Sequence, residues 1–291
     1  MQKMKLFLPP LLLGIYLLLF FGCTKSPFSE DKTGLGTRQI RGTVALADGA
    51  SPGGVYVWLP GGEVGAYTEA SGKFQLTLPS PSDQGTPGGL NGVFTVYFYL
   101  ANYHLDSAKV FMRDGVFVYE KGDVNKNGEL NATRRMQRLL QISTTVQRFT
   151  SPRTTADSTV VRVSMQADAN SVTVIFPNAC SDRECPDHRI GAVLLRNIAS
   201  NEIFVVQMSP GANSRHVVTV GRSPVTRSMY FSLTRVFIPP AVYEVIPYLL
   251  IERAELPPGL LASLGPNVLA LGPDYLKIPF RREGGRLEVA R

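Results

Sequence analysis

Residues 40–78 read IRGTVALADGASPGGVYVWLPGGEVGAYTEASGKFQLTL, and their apolar side chains recur at every second position rather than every third or fourth. That is the period of strands. Ile40, Gly42 and Val44 open a first strand, residues 48–54 turn it, and Val55, Val57 and Leu59 alternate along a second. Thr68, Gly72, Phe74 and Leu76 complete a third. Pro52 and the glycine pairs Gly53-Gly54 and Gly61-Gly62 fall where the chain must reverse. Gly72 follows Ser71 in a turn that needs a residue tolerant of positive φ.

Beyond a Pro- and Gly-rich loop at 79–92, Phe94, Val96, Phe98 and Leu100 share one face of the next strand, with Thr95, Tyr97 and Tyr99 on the other. The face of Phe94 is the expected core side. Tyr56 and Trp58, with Tyr97 and Tyr99, then point outward as an aromatic face able to stack on the C–H faces of sugars. The alternative is that the second domain or the 79–92 loop covers these rings. Further strands are expected at 108–112 and 116–119, joined at Arg113-Asp114-Gly115, and at 137–149 with Leu140, Ile142, Thr144 and Val146 on one side.

The spacing I-x-G-x-V, P-x-x-V-x-V-x-L and T-x-x-x-G-x-F-x-L, within residues 37–122, resembles the carboxypeptidase regulatory-like domain, a transthyretin-like β-sandwich grouped with carbohydrate-binding-like folds. The resemblance implies fold, with carbohydrate as a ligand class. Its motif consists of turn glycines and core positions, and one such fold hosts many functions. Apolar β-rich runs continue at 160–165, 172–176, 192–198, 203–208, 216–220, 229–238 and 243–251. A short helix is expected at 260–264 and a last hairpin of 277–280 with 286–289. The expected fold is all-β: a transthyretin-like antiparallel β-sandwich at 37–149, a linker at 150–158 and a second antiparallel β-sandwich-like domain at 159–291.

The chain of 291 residues begins with Lys3 and Lys5, an apolar run at 6–21 and Gly22-Cys23. Pro9-Pro10 would interrupt a spanning helix, and the run is short for one. Residues 1–22 are therefore read as a signal peptide and 23–36 as a tether. The junction resembles a bacterial lipobox, with Phe20 and Phe21 departing from its usual residues. The resemblance implies lipidation of Cys23, attachment to a membrane through acyl chains including palmitate, and, with Thr24 next, location at the outer membrane. In an oxidising envelope Cys180 and Cys185 then form an even pair, read as a small disulfide loop. His188 is near, but no further Cys or His completes a zinc site.

The formal charge of +7 loses two units with Lys3 and Lys5. The remaining cations, among them Arg134, Arg135, Arg138, Arg148, Arg281 and Arg282, are scattered without the dense patch that nucleic acid requires. Catalytic motifs fail on context. Gly49-Ala50-Ser51-Pro52-Gly53 matches G-x-S-x-G, yet a strand follows and Pro52 has no N–H for an oxyanion hole. His104, His188 and His216 lie far apart, in no zinc-binding arrangement. Residues 123–131, DVNKNGELN, resemble half of a calcium loop, with Asp123, Asn125, Asn127 and Glu129 as ligands; Arg134 stands where a carboxylate is needed. A turn closed by its own side chains competes with weak calcium binding. No other cofactor is expected. The chain reads as a non-enzymatic, lipid-anchored envelope protein that binds carbohydrate or, alternatively, another envelope protein in adhesion or assembly.

Overall fold

The period-two segments form eight strands in the first half: β1 (Gln39–Leu46), β2 (Tyr56–Leu59), β3 (Val64–Tyr67), β4 (Lys73–Thr77), β5 (Gly92–Tyr99), β6 (Asp106–Arg113), β7 (Val116–Phe117) and β8 (Arg134–Met136). They make two sheets, ordered β4-β1-β8 and β3-β2-β5-β6-β7, antiparallel apart from the β1–β8 pair. The computed structural model describes residues 38–150, 157–177, 189–208, 215–233 and 236–290.

Between the two sheets lie the side chains that the alternation assigns inward. Ile40 and Val44 of β1, Val57 and Leu59 of β2, Phe74 and Leu76 of β4, and Val96 and Phe98 of β5 form one buried cluster. The third expected strand is in fact two. β3 pairs with β2, and the chain then crosses to the facing sheet so that β4 pairs with β1. Gly72 makes the crossing tight: its φ is 81° and a Cβ there would meet the Val44 carbonyl oxygen at 2.1 Å. The 79–92 loop closes one end of the sandwich. Gln84, buried, donates from Nε2 to Gly115 O at 2.7 Å and accepts from Leu90 N–H at 2.9 Å.

The second half contains β9 (Leu140–Thr150), β10 (Asp157–Ala167), β11 (Val172–Pro177), β12 (Ala192–Asn197), β13 (Ile203–Gln207), β14 (Arg215–Val220), β15 (Val225–Phe231), β16 (Ala241–Pro247) and β17 (Leu250–Ile251). A one-turn helix α1 (Leu260–Leu264), a 3-10 turn (Pro273–Lys277), β18 (Glu283–Gly284) and β19 (Arg286–Val289) follow. The sheets are ordered β15-β10-β9-β18, β14-β11-β17 and β13-β12-β16-β19, around a second core that includes Ile142, Val163, Phe176, Leu195 and Tyr243. The protein is an all-β sandwich protein.

Three expectations change. β9 is a strand with Leu140 and Ile142 inward, but it pairs with β10 along the full register from Leu140↔Ala167 to Thr150↔Asp157. It therefore belongs to the second sandwich. Most of the expected linker at 150–158 lies outside the described residues, and the change of sandwich falls earlier, between β8 and β9. The last hairpin does not form either: β18 runs parallel to β9 while β19 pairs with β16, so Gly284 and Gly285, both at positive φ, carry the chain from one sheet to another. The run at 229–238 is shifted: the strand there is β15, Val225–Phe231, which starts before the expected run and ends within it. Residues 36–291 cluster as one compact unit that holds both sandwiches.

The core assignment makes a stability prediction. Phe98, at 0% exposure, packs edge-on against Phe74 with ring centroids 5.5 Å apart. In urea melts Phe98→Ala should lose about 3–5 kcal/mol. Val93→Ala, at an outward position of the same strand with 57% exposure, should stay within about 0.5 kcal/mol of the parent.

Candidate functional site

Tyr56, Trp58 and Tyr99 do point away from the first core, as alternation requires, but they do not face water. They are 6%, 3% and 3% exposed and belong to a third cluster with Ala192 and Leu194 of β12, Ile246 of β16, Leu260 and Leu264 of α1, Tyr248 and Tyr275. Tyr97 is partly buried against the same cluster, with its ring centroid 6.0 Å from that of Trp58. The expected sugar-stacking platform is thus an internal seam, covered by the outer face of β12–β16 and by the C-terminal segment. Its physical reason is the alternation within β12 and β16: Leu195 and Val245 fill the second core, which leaves Leu194 and Ile246 apolar on the other side.

Small residues and polar pins fit the seam together. Gly65 lies opposite Trp58, and a Cβ there would meet the Tyr56 hydroxyl at 2.2 Å, so the ring of Tyr56 lies across β3. Tyr56 Oη reaches Ser263 Oγ at 3.1 Å, and Tyr67 Oη donates to Lys277 O at 3.1 Å. Ala101 N–H donates to Pro279 O at 2.8 Å; Asn102, 1% exposed, donates from Nδ2 to Leu140 O and Arg281 O, both at 2.9 Å, and accepts from Arg281 N–H. Arg253 donates from Nη1 to Ala101 O and Tyr103 O at 2.8 Å, while its Nε donates to Glu255. Burial raises Tyr248 to about 12 and holds Tyr99 and Tyr275 above the usual phenol range, so these rings stay neutral.

A charged clasp joins the two sandwiches at a second point. Tyr103 Oη donates to Asp48 Oδ2 at 2.6 Å, Arg138 Nη1 donates to the same oxygen at 3.1 Å, and Arg138 Nε donates to both oxygens of Asp168 at 3.1 Å. Burial opposes ionisation of Asp48, but the Tyr103 hydroxyl, the Ala50 N–H and Arg138 outweigh it, holding the carboxyl below its ordinary 3.8.

Elsewhere the candidates stay apart. The 123–131 loop is tied to β6 and closed on itself: Asp123 Oδ2 accepts from Lys109 N–H of β6 at 2.7 Å, and Asn125 Oδ1 accepts from the N–H groups of Asn127 and Glu129 at 2.8 and 3.1 Å. Arg134 is bound to Asp106, and no group of three His, Cys, Asp or Glu side chains placed to hold a metal occurs among the described residues. The calcium alternative therefore lacks a convergent set of carboxylates here, and Asn127 and Glu129 contribute backbone rather than side-chain contacts to the turn. Ser51 lies in an exposed turn and accepts from Gly53 N–H at 3.4 Å, with β2 following. His104 follows β5, whereas His216 sits in β14. Cys23, Cys180, Cys185 and His188 lie outside the described residues. Among the described residues no helix is long and apolar enough to cross a membrane.

The site that sequence reasoning missed is a groove beside the seam, where Arg196, Lys277, Arg281 and Arg282 converge around a cavity of about 290 Å3. Only the Arg281-Arg282 doublet hinted at it; Lys277 lies just upstream on the same segment, and Arg196 arrives from the distant strand β12. A comparison with protein-family models finds no match, and none of the curated proteins matches the chain.

Because Asp48 titrates lower in the folded state, its contribution is fully present above about pH 4 and is lost as pH falls through the folded value. Asp48→Asn should cost roughly 1–3 kcal/mol at pH 7 and make stability fall less steeply between about pH 4 and pH 2, read from denaturant midpoints across that range.

Proposed function

We infer that the chain is a non-enzymatic, lipid-anchored protein of the cell envelope, held at the outer membrane through Cys23, whose β-sandwich body serves a binding or structural role. The observation that carries this reading is the seam. Two sandwiches joined through a common apolar cluster form a stiff body suited to presenting surfaces, and the aromatic face of β2 and β5 is used for packing. The residues at 3–23 supply the anchor through their layout of Lys3, Lys5, an apolar run and Gly22-Cys23. The first sandwich resembles the carboxypeptidase regulatory-like, transthyretin-like group in its turn glycines and inward positions. Carbohydrate enters as a ligand class through that resemblance alone.

A specific surface favours the second reading, an adhesion or assembly component that binds another envelope protein. Phe149 and Tyr230 are 51% and 47% exposed, and their cross-strand partners Ser158 and Val160 lie two apart on β10, so both rings stand on one outer face. That face ends at β15, the outermost strand of its sheet, whose Ser228 is bridged by Arg189.

The anchor is tested by feeding alkyne-palmitate to bacteria that express the chain. Label should enter the wild-type protein, and Cys23→Ala should lose it and leave the membrane fraction. Unlabelled wild type, or equal labelling of both, would contradict lipidation.

A further inference from the structure

We propose that the groove where the first sandwich meets β12, β16 and the 276–282 segment binds a small organic anion, a carboxylate or phosphate ester of about hexose size. The groove is built from both halves: Gly53, Tyr67 and Leu100 form one wall, and Ile246, Phe280 and the cations form the other. Its volume, about 290 Å3, lies at the small end of ligand cavities.

Charge decides the sign of the ligand. Arg196 is paired with Glu244, and Lys277 with Asp274 at 2.8 Å. Arg281 and Arg282 face no carboxylate partner among the described residues, so the groove carries uncompensated positive charge. Both guanidiniums are fixed before any ligand arrives. Arg281 Nη2 donates to Gly53 O, and Arg282 Nη2 donates to Tyr275 Oη at 2.7 Å while its guanidinium stacks 4.0 Å from the centroid of Phe280. The Nε atom of each is buried, so a ligand in the groove meets the remaining edges of these two partly exposed side chains. Guanidinium groups lining a groove are matched by a carboxylate or phosphate oxygen, which accepts charge-assisted hydrogen bonds from them.

The apolar floor requires a carbon skeleton on the anion. The partly exposed ring of Phe280 and the half-exposed ring of Tyr67 line the groove beside the cations, with Ile246 and Ile278 buried behind them. Inorganic phosphate would leave that surface uncovered. The groove continues past the Arg196–Glu244 pair into a second hollow of about 390 Å3 bordered by Arg286, Gly284 and Gly285. Across β12, β16 and β19 the register sets Arg196, Glu244 and Arg286 in one row, so the entrance is lined by two cations flanking one carboxylate. This inference does not depend on the anchor or on the binding reading above.

Calorimetric titration of the full chain in detergent, at low salt, tests it with four probes: glucuronate, glucose 6-phosphate, glucose and inorganic phosphate. At least one acidic sugar should bind about tenfold tighter than inorganic phosphate, with glucose weaker still, and the affinity should fall with added salt. The preference between glucuronate and glucose 6-phosphate identifies the anion. Arg282→Gln and Arg196→Gln should each weaken that sugar about tenfold, and Arg282→Lys should recover only part of the loss. Thermal unfolding of each variant verifies that it folds, and Arg196, whose side chain does not bond to a seam residue, provides the second variant should Arg282→Gln disturb the seam. Absence of binding by both acidic sugars up to about 10 mM, equal binding of glucose or of inorganic phosphate, or unchanged affinity in folded variants overturns the proposal.

Discussion

Burial of Tyr56, Trp58 and Tyr99 beneath the second half is the interaction on which the rest of the structure depends. Each large ring removes roughly 150–250 Å2 from water, an upper figure of about 4–6 kcal/mol per ring at 25 cal/mol/Å2. A partly exposed ion pair such as Arg138–Asp168 contributes about 0.2–1 kcal/mol. The seam is therefore an apolar joint, and the polar contacts around it set its register. It has an internal cost: Trp58 Nε1 is buried without a hydrogen-bond partner.

The same joint determines what is left for binding. Once the outer face of β2 and β5 lies against Leu194 and Ile246, the polar continuation of that face, Arg196 and Glu244, meets the rim of the first sandwich. A flat aromatic surface becomes an interior, and a cationic groove opens beside it. The 276–282 segment serves both, since Ile278 packs into the seam while Arg281 and Arg282 line the groove.

Most strands were legible because a half-buried sheet forces a period of two, and Ile40, Val57, Phe98 and Ile142 obey it. Pairing partners were less legible. The alternation of Leu140, Ile142 and Thr144 specifies a strand with one inward face, yet nothing local states which sheet it joins, so β9 was assigned to the wrong sandwich. The C-terminal stretch misleads for a related reason: Gly284 and Gly285 look like a hairpin turn but carry a crossing between sheets. The groove was hidden by separation, because Gly53, Arg196 and Arg281 meet only after both sandwiches have formed and docked. The direction of the aromatic face could be read; what covers it could only be posed as an alternative.

Differential scanning calorimetry of the protein tests the central claim most directly, because a shared apolar seam couples the unfolding of both halves. The account predicts one cooperative transition whose calorimetric and van't Hoff enthalpies agree. Two resolved transitions, one per sandwich, with midpoints unmoved by Trp58→Ala, would contradict it.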